Sequence, residues 1–588
     1  MCGIFGYIGK KNNVAQIVLD GLKRLEYRGY DSWGIAVEKR GKFVIKKHAG
    51  KIGDADISTL PESNFGLGHT RWATHGGVTD INAHPHLDCT GKIAIVHNGI
   101  IENFSEIKKR LLKKGHRFLS QTDSEVAAHL IEEGRKERRL REAVRWAFNQ
   151  LEGLNAIIAI EAGSKTFVAA KTGSPLVLGF GKTENFLASD APALLRYTKR
   201  VCFLEDGQLA EITAREVKIF EIKTGRRIRP KIQALDWEVE EAELGDFPHF
   251  MIKEISEQPK ILRGIAENAV AQIPDLAKLI KKAYGTYMVG CGTAAYACLA
   301  GTYFFSKIAQ RHVNFSVGSE FSYLAHFLTP KSLVIALSQS GETIDIIESI
   351  LKAREKGAKV LAIVNNLGST LYRMADYKVL LGAGPEKCVL ATKSFTAKLG
   401  VLLLLSLAFN GELLKGKNLL LKAAREVEKI LKPKNQNLIK KLAHRLFEKE
   451  HIYIIGRGLS YPAALEAALK IKEVSYIHAE GFAAGELKHG VIALVEKGTP
   501  CLVFAPNDET FGAVLSGAME MKARGSFIVG ISPFPHEVFD YYIPVADCGD
   551  ASIIPNTVVA QLLAYYLALK RGCDPDKPRN LAKSVTVK

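Results

Sequence analysis

The chain has 588 residues, of which 47% are hydrophobic and 24% charged, with nine cysteines and a formal net charge of +18. This length predicts about three or four domains, and this composition lets each of them bury a real core. Nine cysteines without paired short spacings argue against a disulfide framework and against a zinc ribbon.

The positive charge does not indicate a nucleic-acid partner. Basic residues alternate with acidic ones, as between Glu133 and Glu142, and there is no aromatic-basic stripe. The field instead favours small anionic substrates. The longest apolar run, Leu399 to Phe409, is too short to cross a bilayer and predicts a buried helix. Because Cys2 to Ile8 is strand-like and lacks signal-peptide features, we expect a cytoplasmic protein without a membrane partner.

Cys2 follows the initiator methionine directly. Removal of Met1 would leave the Cys2 thiol beside its own free α-amine. An α-amine titrates near about pH 8, so it can accept the thiol proton. The position therefore predicts a nucleophile with its own base, although most cysteines are simply small buried hydrophobes.

Residues 1–235 consist of short apolar strands separated by glycine-rich turns, which is typical of a layered α/β sandwich. Helices are predicted near Ala15 to Leu25 and Ser124 to Glu133, and strands at Gly34–Val37, Ile93–His97, Ala156–Glu161 and Thr166–Ala170. The acidic stretch Glu238 to Asp246 predicts a linker over 236–249.

The remainder contains an internal repeat. Tyr287–Thr293 recurs as Tyr453–Leu459, and Glu342-Thr343 as Glu509-Thr510, with an offset of about 167 residues. Each copy predicts strands alternating with helices, which is typical of a doubly wound parallel sheet. The predicted domains are 250–430 and 431–573, followed by a tail over 574–588.

A polar turn follows the predicted strand Ser332 to Leu337. Its residues are Ser338, Gln339, Ser340, Gly341, Glu342 and Thr343, and a helix follows through Ile350. Hydroxyls, an amide and the unpaired N–H groups of a helix start together make an anion site. The matching turn of the second copy, Ala505 to Asp508, offers a carboxylate and no hydroxyl, so we expect phosphate in the first copy only. The alternative is a simple helix cap.

These residues resemble the family of glutamine:fructose-6-phosphate amidotransferases, the glucosamine-6-phosphate synthases, over essentially the whole chain. The motifs that carry the resemblance are Cys2-Gly3-Ile4, Tyr27 to Ser32, Gly68 to Gly76, His97-Asn98-Gly99, Ser338 to Thr343, Glu486 to Gly490 and Pro578 to Val587. The resemblance implies an α/β protein with an N-terminal-nucleophile αββα glutaminase sandwich and two doubly wound parallel-sheet sugar-isomerase (SIS) domains.

By the same resemblance, the glutaminase half binds and hydrolyses glutamine. Cys2 would attack the side-chain amide, and Asn98 with the Gly99 N–H would form the oxyanion hole. Arg71 and Asp123 would hold the glutamine carboxylate and ammonium. Thr74 and His75 would line the pocket, and Trp72 would gate an ammonia channel, with ordinary core packing as its alternative.

In the sugar half, the resemblance implies fructose 6-phosphate as substrate and no cofactor. Lys583 would form a Schiff base with the open-chain sugar. His489, contributed by the neighbouring subunit of a homodimer, would open the ring, and Glu473 would move a proton between C1 and C2 with Lys470 close by. The expected sugar-phosphate contacts are Thr293, Ser338, Gln339, Ser340, Thr343 and Val389.

The segment His84-Pro85-His86 is not followed in the sequence by a second ligand cluster at zinc spacing, so we expect no metal.

Two positions depart from the family pattern, because Ala294 and Ala391 stand where serine is usual. A lost hydroxyl costs about 1–3 kcal/mol if nothing replaces it. An amidotransferase for another keto or aldo sugar phosphate, and a phosphosugar-binding sensor, therefore remain as alternatives. A phosphoribosyl amidotransferase would share the amino-terminal half but would need a different second half.

Overall fold

The computed structural model describes residues 2–235, 243–268 and 271–585. They form two compact units, the first made of the described residues of Met1–Glu243 and Ala582–Lys588 and the second of those of Leu244–Leu581. Half of the predicted linker, residues 236–242, and the last three residues of the tail lie outside the described residues.

The first unit contains two antiparallel sheets. Its elements are β1 Gly3–Ile8, α1 Val14–Leu25, β2 Ser32–Lys39, β3 Lys42–Ala49, β4 Phe65–Arg71, β5 His86–Leu87, β6 Ile93–Gly99, α2 Phe104–Lys113, α3 Glu125–Arg135, α4 Leu140–Phe148, β7 Asn155–Glu161, β8 Ser164–Thr172, β9 Val177–Phe180, β10 Asn185–Ala188, β11 Arg200–Phe203, β12 Gln208–Ile212, β13 Val217–Glu221, β14 Arg227–Ile228 and β15 Gln233–Ala234. The strand orders are β15-β11-β9-β10-β1-β4-β2-β3 and β14-β13-β12-β8-β7-β6-β5.

The alternation of side chains along β1 shows how this unit is layered. Phe5 and Tyr7 pack with α1 on the outer face of the first sheet. Ile4 and Ile8 point the other way, into a core shared with the second sheet. A third apolar layer joins that second sheet to α3 and α4. The order is helix, sheet, sheet, helix, so the αββα prediction is confirmed.

The second unit contains two parallel five-stranded sheets. Its elements are α5 Phe250–Asn268, α6 Ile273–Lys282, β16 Gly285–Gly290, α7 Thr293–Lys307, β17 Asn314–Val317, α8 Gly318–Leu324, β18 Ser332–Ser338, α9 Ile344–Glu355, β19 Lys359–Val364, α10 Thr370–Met374, β20 Tyr377–Leu380, α11 Lys393–Phe409, α12 Leu413–Ile430, α13 Pro433–Leu446, β21 His451–Gly456, α14 Ser460–Ser475, β22 His478–Ala483, β23 Pro500–Phe504, α15 Phe511–Lys522, β24 Phe527–Ser532, β25 Tyr541–Pro544 and α16 Ile553–Lys570.

The two sheets share one topology. Their strand orders, β17-β16-β18-β19-β20 and β22-β21-β23-β24-β25, place equivalent strands at equivalent positions. The doubly wound duplication predicted from the repeat is therefore confirmed.

Apolar helices fill the core of this unit. The run Leu399 to Phe409 belongs to α11, whose side chains are almost all buried, as predicted. Among the described residues one helical stretch, Gly549–Lys570, is long and apolar enough to cross a membrane, but 94% of its most apolar window is buried inside the protein. Its apolar character is thus explained by core packing.

Candidate functional site

Strand pairing brings Cys2 to the end of β4. Gly3 of β1 pairs with Thr70 of β4, so the preceding residue lies beside Arg71 and Trp72. The Trp72 N–H donates to Cys2 Sγ at 3.2 Å. Arg28 Nε and Asn98 Nδ2 both donate to the Cys2 carbonyl oxygen, at 3.2 and 3.1 Å. The structure thus brings the thiol, the Trp72 amide and the Asn98 side chain together.

Cys2 is half-buried, and its thiol lies in a cationic environment. Burial raises the pKa of the Cys2 thiol, while the Trp72 N–H and the Arg71 and Arg28 cations oppose the rise. The net direction is upward, so the resting group at neutral pH is the thiol. An attack on an amide therefore needs a base that removes its proton.

The Asn98 amide is held in one orientation. His69 Nε2 lies 3.1 Å from Asn98 Oδ1 and 3.0 Å from the His97 carbonyl oxygen, so it must carry the proton that both oxygens accept. Burial lowers the pKa of His69 to about 3, which keeps the ring neutral. The Asn98 NH2 group then faces Cys2 and donates to Ser189 Oγ at 2.9 Å. Neutral, oriented donors of this kind suit a developing oxyanion.

Gly99 ends β6 with φ of +129°. A Cβ at this position would lie 2.1 Å from the Leu154 carbonyl oxygen, a backbone atom that cannot rotate away. The close approach of β6 and β7 therefore requires glycine here. It also fixes the backbone that follows Asn98.

Arg71 organises the loop after β4. Its guanidinium donates to the carbonyl oxygens of His75, Gly76 and Gly77 at 2.5, 3.1 and 3.1 Å. Thr74 is exposed on this loop, and the half-buried His75 packs edge-on against Phe104. The loop is thus held in place by Arg71, the cation that the family resemblance implies for the glutamine carboxylate.

Asp123 and Trp72 flank this region in different ways. Asp123 Oδ2 accepts the Ile101 N–H at 2.8 Å, which fixes the carboxylate just after β6. Trp72 is partly buried and packs edge-to-face on Tyr30 at 5.8 Å. It lies outside the apolar core clusters, and its gating role stays a prediction.

His84 and His86 are internal packing residues. The His97 N–H donates to His84 Nδ1 at 3.3 Å, and His86 Nε2 lies 3.1 Å from Thr122 Oγ1. The His84 ring stacks on His69 at 4.1 Å. Burial lowers the pKa of both residues well below the usual value, so the stack is uncharged.

The hydroxyls and backbone N–H groups of the polar turn at the end of β18 lie close together. Ser338 Oγ lies 3.2 Å from Thr343 Oγ1, and the Gly341 N–H donates to Ser338 Oγ at 3.0 Å. Thr343 is the N-cap of α9, but its side chain makes no capping hydrogen bond. The cap-only alternative therefore finds no support at Thr343. The Glu342 carboxylate accepts the Thr370 N–H at 2.9 Å and is thus engaged by a neighbouring loop.

Two helix starts meet beside this turn. β16 and β18 are neighbours in the sheet, with β17 on one side and β19 on the other, so the winding reverses between them. Thr293 begins α7 after Gly292, which has φ of +52°. In doubly wound sheets ligands bind at such a reversal, beyond the carboxyl ends of the strands. Ser338, Gln339, Ser340, Thr343 and Thr293 all lie at this edge.

A buried charged cluster lies next to the α7 start. Lys470 Nζ is 2.5 Å from Glu473 Oε2 and 3.6 Å from Glu466 Oε1, all on α14. Thr293 Oγ1 donates to Glu466 Oε1 at 3.3 Å, which links the two copies of the repeat. Burial raises the pKa of Glu466 to about 7. Burial alone would lower the pKa of Lys470, but the carboxylates of Glu466 and Glu473 outweigh it, so the net shift of the Lys470 pKa is upward. The cluster can therefore hold or release a proton near neutral pH.

Sequence reasoning did not name Glu466, Arg28 or His69. Glu466, Lys470 and Glu473 are spaced by four and three residues, so a helical projection of α14 could have found the first of them. Arg28 and His69 lie within the motifs Tyr27 to Ser32 and Gly68 to Gly76, but only the fold creates their contacts with Cys2 and Asn98, from the short helix after α1 and from β4.

The remaining predicted residues lie in different places. The Val389 N–H donates to the Asp576 carbonyl oxygen at 3.1 Å, so the chain near the tail already occupies that amide. His489 is exposed, just before Gly490, which has φ of +145°. Lys583 is half-buried and belongs to the first compact unit, whereas the polar turn and the charged cluster belong to the second.

Comparison with known proteins gives one consistent result. The model of the glutamine amidotransferase domain matches residues 69–196, and that of the SIS domain matches 279–408 and 445–571. The chain is 44% identical over 604 residues to the glutamine--fructose-6-phosphate aminotransferase [isomerizing] of Pyrococcus horikoshii and 45% identical over 606 residues to that of Thermococcus kodakarensis, with 100% of each chain covered.

A solved structure agrees with these relatives. The C-terminal domain of glucosamine-fructose-6-phosphate aminotransferase from Francisella tularensis is 31% identical, with a TM-score of 0.52, over 57% of this chain and 99% of that chain. The resemblance inferred from the motifs is thereby confirmed. The chain belongs to the family of glutamine--fructose-6-phosphate aminotransferases.

Proposed function

We propose that this protein hydrolyses glutamine, passes the ammonia internally and converts fructose 6-phosphate to glucosamine 6-phosphate, which begins amino-sugar synthesis. The observation that carries the proposal is the sequence identity of 44% and 45% to two named aminotransferases over their full lengths, because the matched region includes both compact units.

We also propose the domain boundaries 1–235, 250–430 and 431–573, with a linker over 236–249 and a tail over 574–588.

In the glutaminase step, the α-amine of Cys2 takes the thiol proton and the sulfur attacks the glutamine amide carbon. Asn98 Nδ2 and the Gly99 N–H stabilise the oxyanion that forms. Collapse of this intermediate expels the nitrogen, which leaves as ammonia with the proton returned by the amine. Water then hydrolyses the thioester to glutamate and regenerates Cys2. Arg71 and Asp123 hold the substrate's carboxylate and ammonium, beside Thr74 and His75, and Trp72 gates the path of ammonia.

In the sugar step, His489 opens the ring and the Lys583 amine condenses with the C2 carbonyl, releasing water. Ammonia then replaces the lysine nitrogen at C2, and Glu473 moves a proton from C1 to C2 to give the amino aldose. Lys470 stays close to this carboxylate, at 2.5 Å. The phosphate is held by Thr293, Ser338, Gln339, Ser340 and Thr343, with the Val389 backbone beside the sugar.

We propose a homodimer in which each subunit lends His489 to its partner. The exposure of His489 supports the assignment, since a histidine acting on the buried charged cluster of its own chain would itself be buried beside that cluster.

We place the protein in the cytoplasm, because all nine cysteines are free thiols, which is typical of a reducing compartment.

Cys2→Ala tests the division of labour. The variant should lose glutamine hydrolysis and keep measurable phosphosugar isomerisation, measured as glutamate release and as aldose formation. Cys573→Ala, which changes another half-buried cysteine, is the matched control. Loss of both activities in a folded Cys2→Ala protein would contradict the proposal.

Lys583→Arg tests the imine. The variant keeps the charge but cannot condense with the ketose, so borohydride should trap the sugar on the wild type and not on the variant. Mass spectrometry of tryptic peptides locates the adduct.

A panel of phosphosugars, assayed for amino-sugar product, identifies the substrate. Turnover of another sugar without turnover of fructose 6-phosphate would favour the alternative that Ala294 and Ala391 raise.

A further inference from the structure

Four metal-ligating side chains converge in the first unit, apart from the Cys2 site. Cys89 lies in the turn between β5 and β6, and His116 follows α2. His129 and Glu132 lie one helical turn apart on α3. Their ligand atoms, one Sγ, two Nδ1 and one carboxylate oxygen, all lie within 4.8 Å of one another.

The separations of these atoms match the edges of a tetrahedron. A zinc ion with Zn–S of about 2.3 Å and Zn–N and Zn–O of about 2.0 Å would separate S from N by about 3.5 Å, and N from N or O by about 3.3 Å. Cys89 Sγ lies 3.6 Å from His116 Nδ1 and 3.4 Å from His129 Nδ1. The two Nδ1 atoms are 3.3 Å apart, and Glu132 Oε2 lies 3.1 and 3.3 Å from them.

The outer ring nitrogens face carboxylates. His116 Nε2 lies 3.0 Å from Glu133 Oε1, and His129 Nε2 lies 3.6 Å from Glu125 Oε1. A carboxylate at Nε2 places the ring proton there and leaves the Nδ1 lone pair facing inward, as in the outer shell of zinc sites. His116 is therefore held in the form that binds a metal, whereas the 3.6 Å separation at His129 is longer than a hydrogen bond.

Backbone donors complete the arrangement. The Arg117 N–H donates to Cys89 Sγ at 3.3 Å, and the Cys89 N–H donates to Glu132 Oε2 at 3.1 Å. Such bonds stabilise a thiolate and an ionised carboxylate. Four electron-pair donors, three of them on largely buried side chains, thus face one point, and a cation at that point would satisfy them all.

We propose that Cys89, His116, His129 and Glu132 bind one zinc ion. One thiolate, two imidazoles and a carboxylate suit zinc and do not suit calcium or magnesium, which prefer oxygen ligands. Four protein ligands close the coordination sphere, so the site is structural. The expectation that the chain holds no metal rested on His84 and His86 and on short ligand spacing. The ligands here come from three separate segments that only the fold assembles.

The metal would fix the segment that carries Asp123. Between His116 and that aspartate, the Leu119 and Ser120 N–H groups donate to Glu125, whose carboxylate also faces His129. A bound zinc would therefore tie the segment to the β5–β6 turn through Cys89. If Asp123 binds the glutamine ammonium as proposed above, loss of the metal should raise KM for glutamine and leave KM for fructose 6-phosphate unchanged.

Metal content tests the site directly and does not depend on the proposed activity. Untagged full-length protein from zinc-supplemented cultures, passed through a desalting column, should carry about one zinc per chain by plasma mass spectrometry. Cys89→Ala and His129→Gln should lose it, and the control Cys573→Ala should keep it. Wild-type protein without zinc after dialysis against zinc chloride, or variants that keep the wild-type content, would overturn the proposal.

A second measurement covers variants that fail to fold. Wild-type protein stripped with a chelator and loaded with Co²⁺ should show the intense visible bands of tetrahedral cobalt and a near-ultraviolet thiolate-to-cobalt band. Addition of Zn²⁺ should bleach both. Weak bands typical of octahedral cobalt, or absence of the thiolate band, would refute the assignment of Cys89 as a ligand.

Discussion

Replacing Gly99 with alanine tests whether the backbone after Asn98 is part of the glutaminase machinery. Gly99 pairs with Asn155 across β6 and β7 and has φ of +129°. An added Cβ would meet the Leu154 carbonyl oxygen at 2.1 Å and the Asn155 Cα at 3.1 Å. Both are backbone atoms at the start of β7 or just before it, so the strain cannot be relieved by a change of rotamer, and β6 must move away from β7.

The expected loss follows from this movement. A displacement of more than about 1 Å is needed to lengthen this approach to an ordinary contact, and a misplacement of about 1 Å already costs about 100-fold in rate. Removal of one oxyanion donor costs about 10²–10³ in kcat, or about 3–4 kcal/mol. The two estimates agree, so Gly99→Ala should lower kcat for glutamine hydrolysis by about two to three orders of magnitude.

Gly50→Ala is the matched control. Gly50 also has a positive φ, of +111°, but a Cβ there meets nothing within 4 Å. Gly50→Ala should lose about 1–3 kcal/mol of stability from backbone strain, and Gly99→Ala should lose more because its Cβ also meets backbone atoms; urea unfolding measures both losses. Only Gly99→Ala should lose glutaminase activity, measured as glutamate release, while isomerisation persists in both. A folded Gly99→Ala protein with more than a tenth of wild-type kcat would refute the reasoning, and so would an equal loss in Gly50→Ala.

Three further changes follow from the electrostatics and burial of the sites. Burial raises the pKa of Glu466 to about 7 from 4.5, so its contribution to stability is present below pH 4.5 and is lost as pH rises through 7. The free energy of unfolding of Glu466→Gln, measured in urea at several pH values, should therefore increase relative to that of the wild type across this window. A constant difference between the two proteins would contradict the shift. Ala294→Ser adds a hydroxyl at the buried start of α7. We expect KM for fructose 6-phosphate to fall severalfold in steady-state assays, which corresponds to about 1 kcal/mol of binding free energy. An unchanged KM would place Ala294 outside the phosphate site. His69→Phe removes the donor that orients Asn98 and should lower glutaminase kcat about tenfold or more. The pH profile of kcat between 5 and 8 should not change, because the His69 ring is already neutral. If the variant lost a titration step of the wild-type profile in that range, His69 itself would be the group that is protonated there.

The fold was predictable because its signals are periodic and repeated. Short apolar strands between glycine-rich turns, such as the fully buried β1, indicate the sandwich, and one repeat offset predicts two sheets of the same strand order. The polar turn Ser338 to Thr343 was equally visible, since its residues are contiguous and open a helix. Local sequence contains all the information that these features need.

Convergent contacts were not predictable in the same way. Arg28 and Asn98 both donate to the Cys2 carbonyl oxygen from 26 and 96 residues away. The ligands of the proposed zinc site come from a turn, a loop and a helix. In each case strand pairing or helix docking creates the contact, and no spacing within the sequence records it.

The surroundings of Cys2 also explain why its place in the chain matters for the proposed chemistry. Within the described part of the chain, the hydrogen-bond contacts of Sγ are the backbone N–H and C=O of Trp72. The imidazole of His69 is neutral and engaged with Asn98, and Arg28 and Arg71 are cations, so none of these three side chains can take the thiol proton. Because burial raises the pKa of the thiol, a base is required, and the α-amine of Cys2 is the group that chain position can supply. Protein that retains Met1 has this nitrogen in a peptide bond, so intact-mass spectrometry should show that the glutaminase-active fraction begins at Cys2.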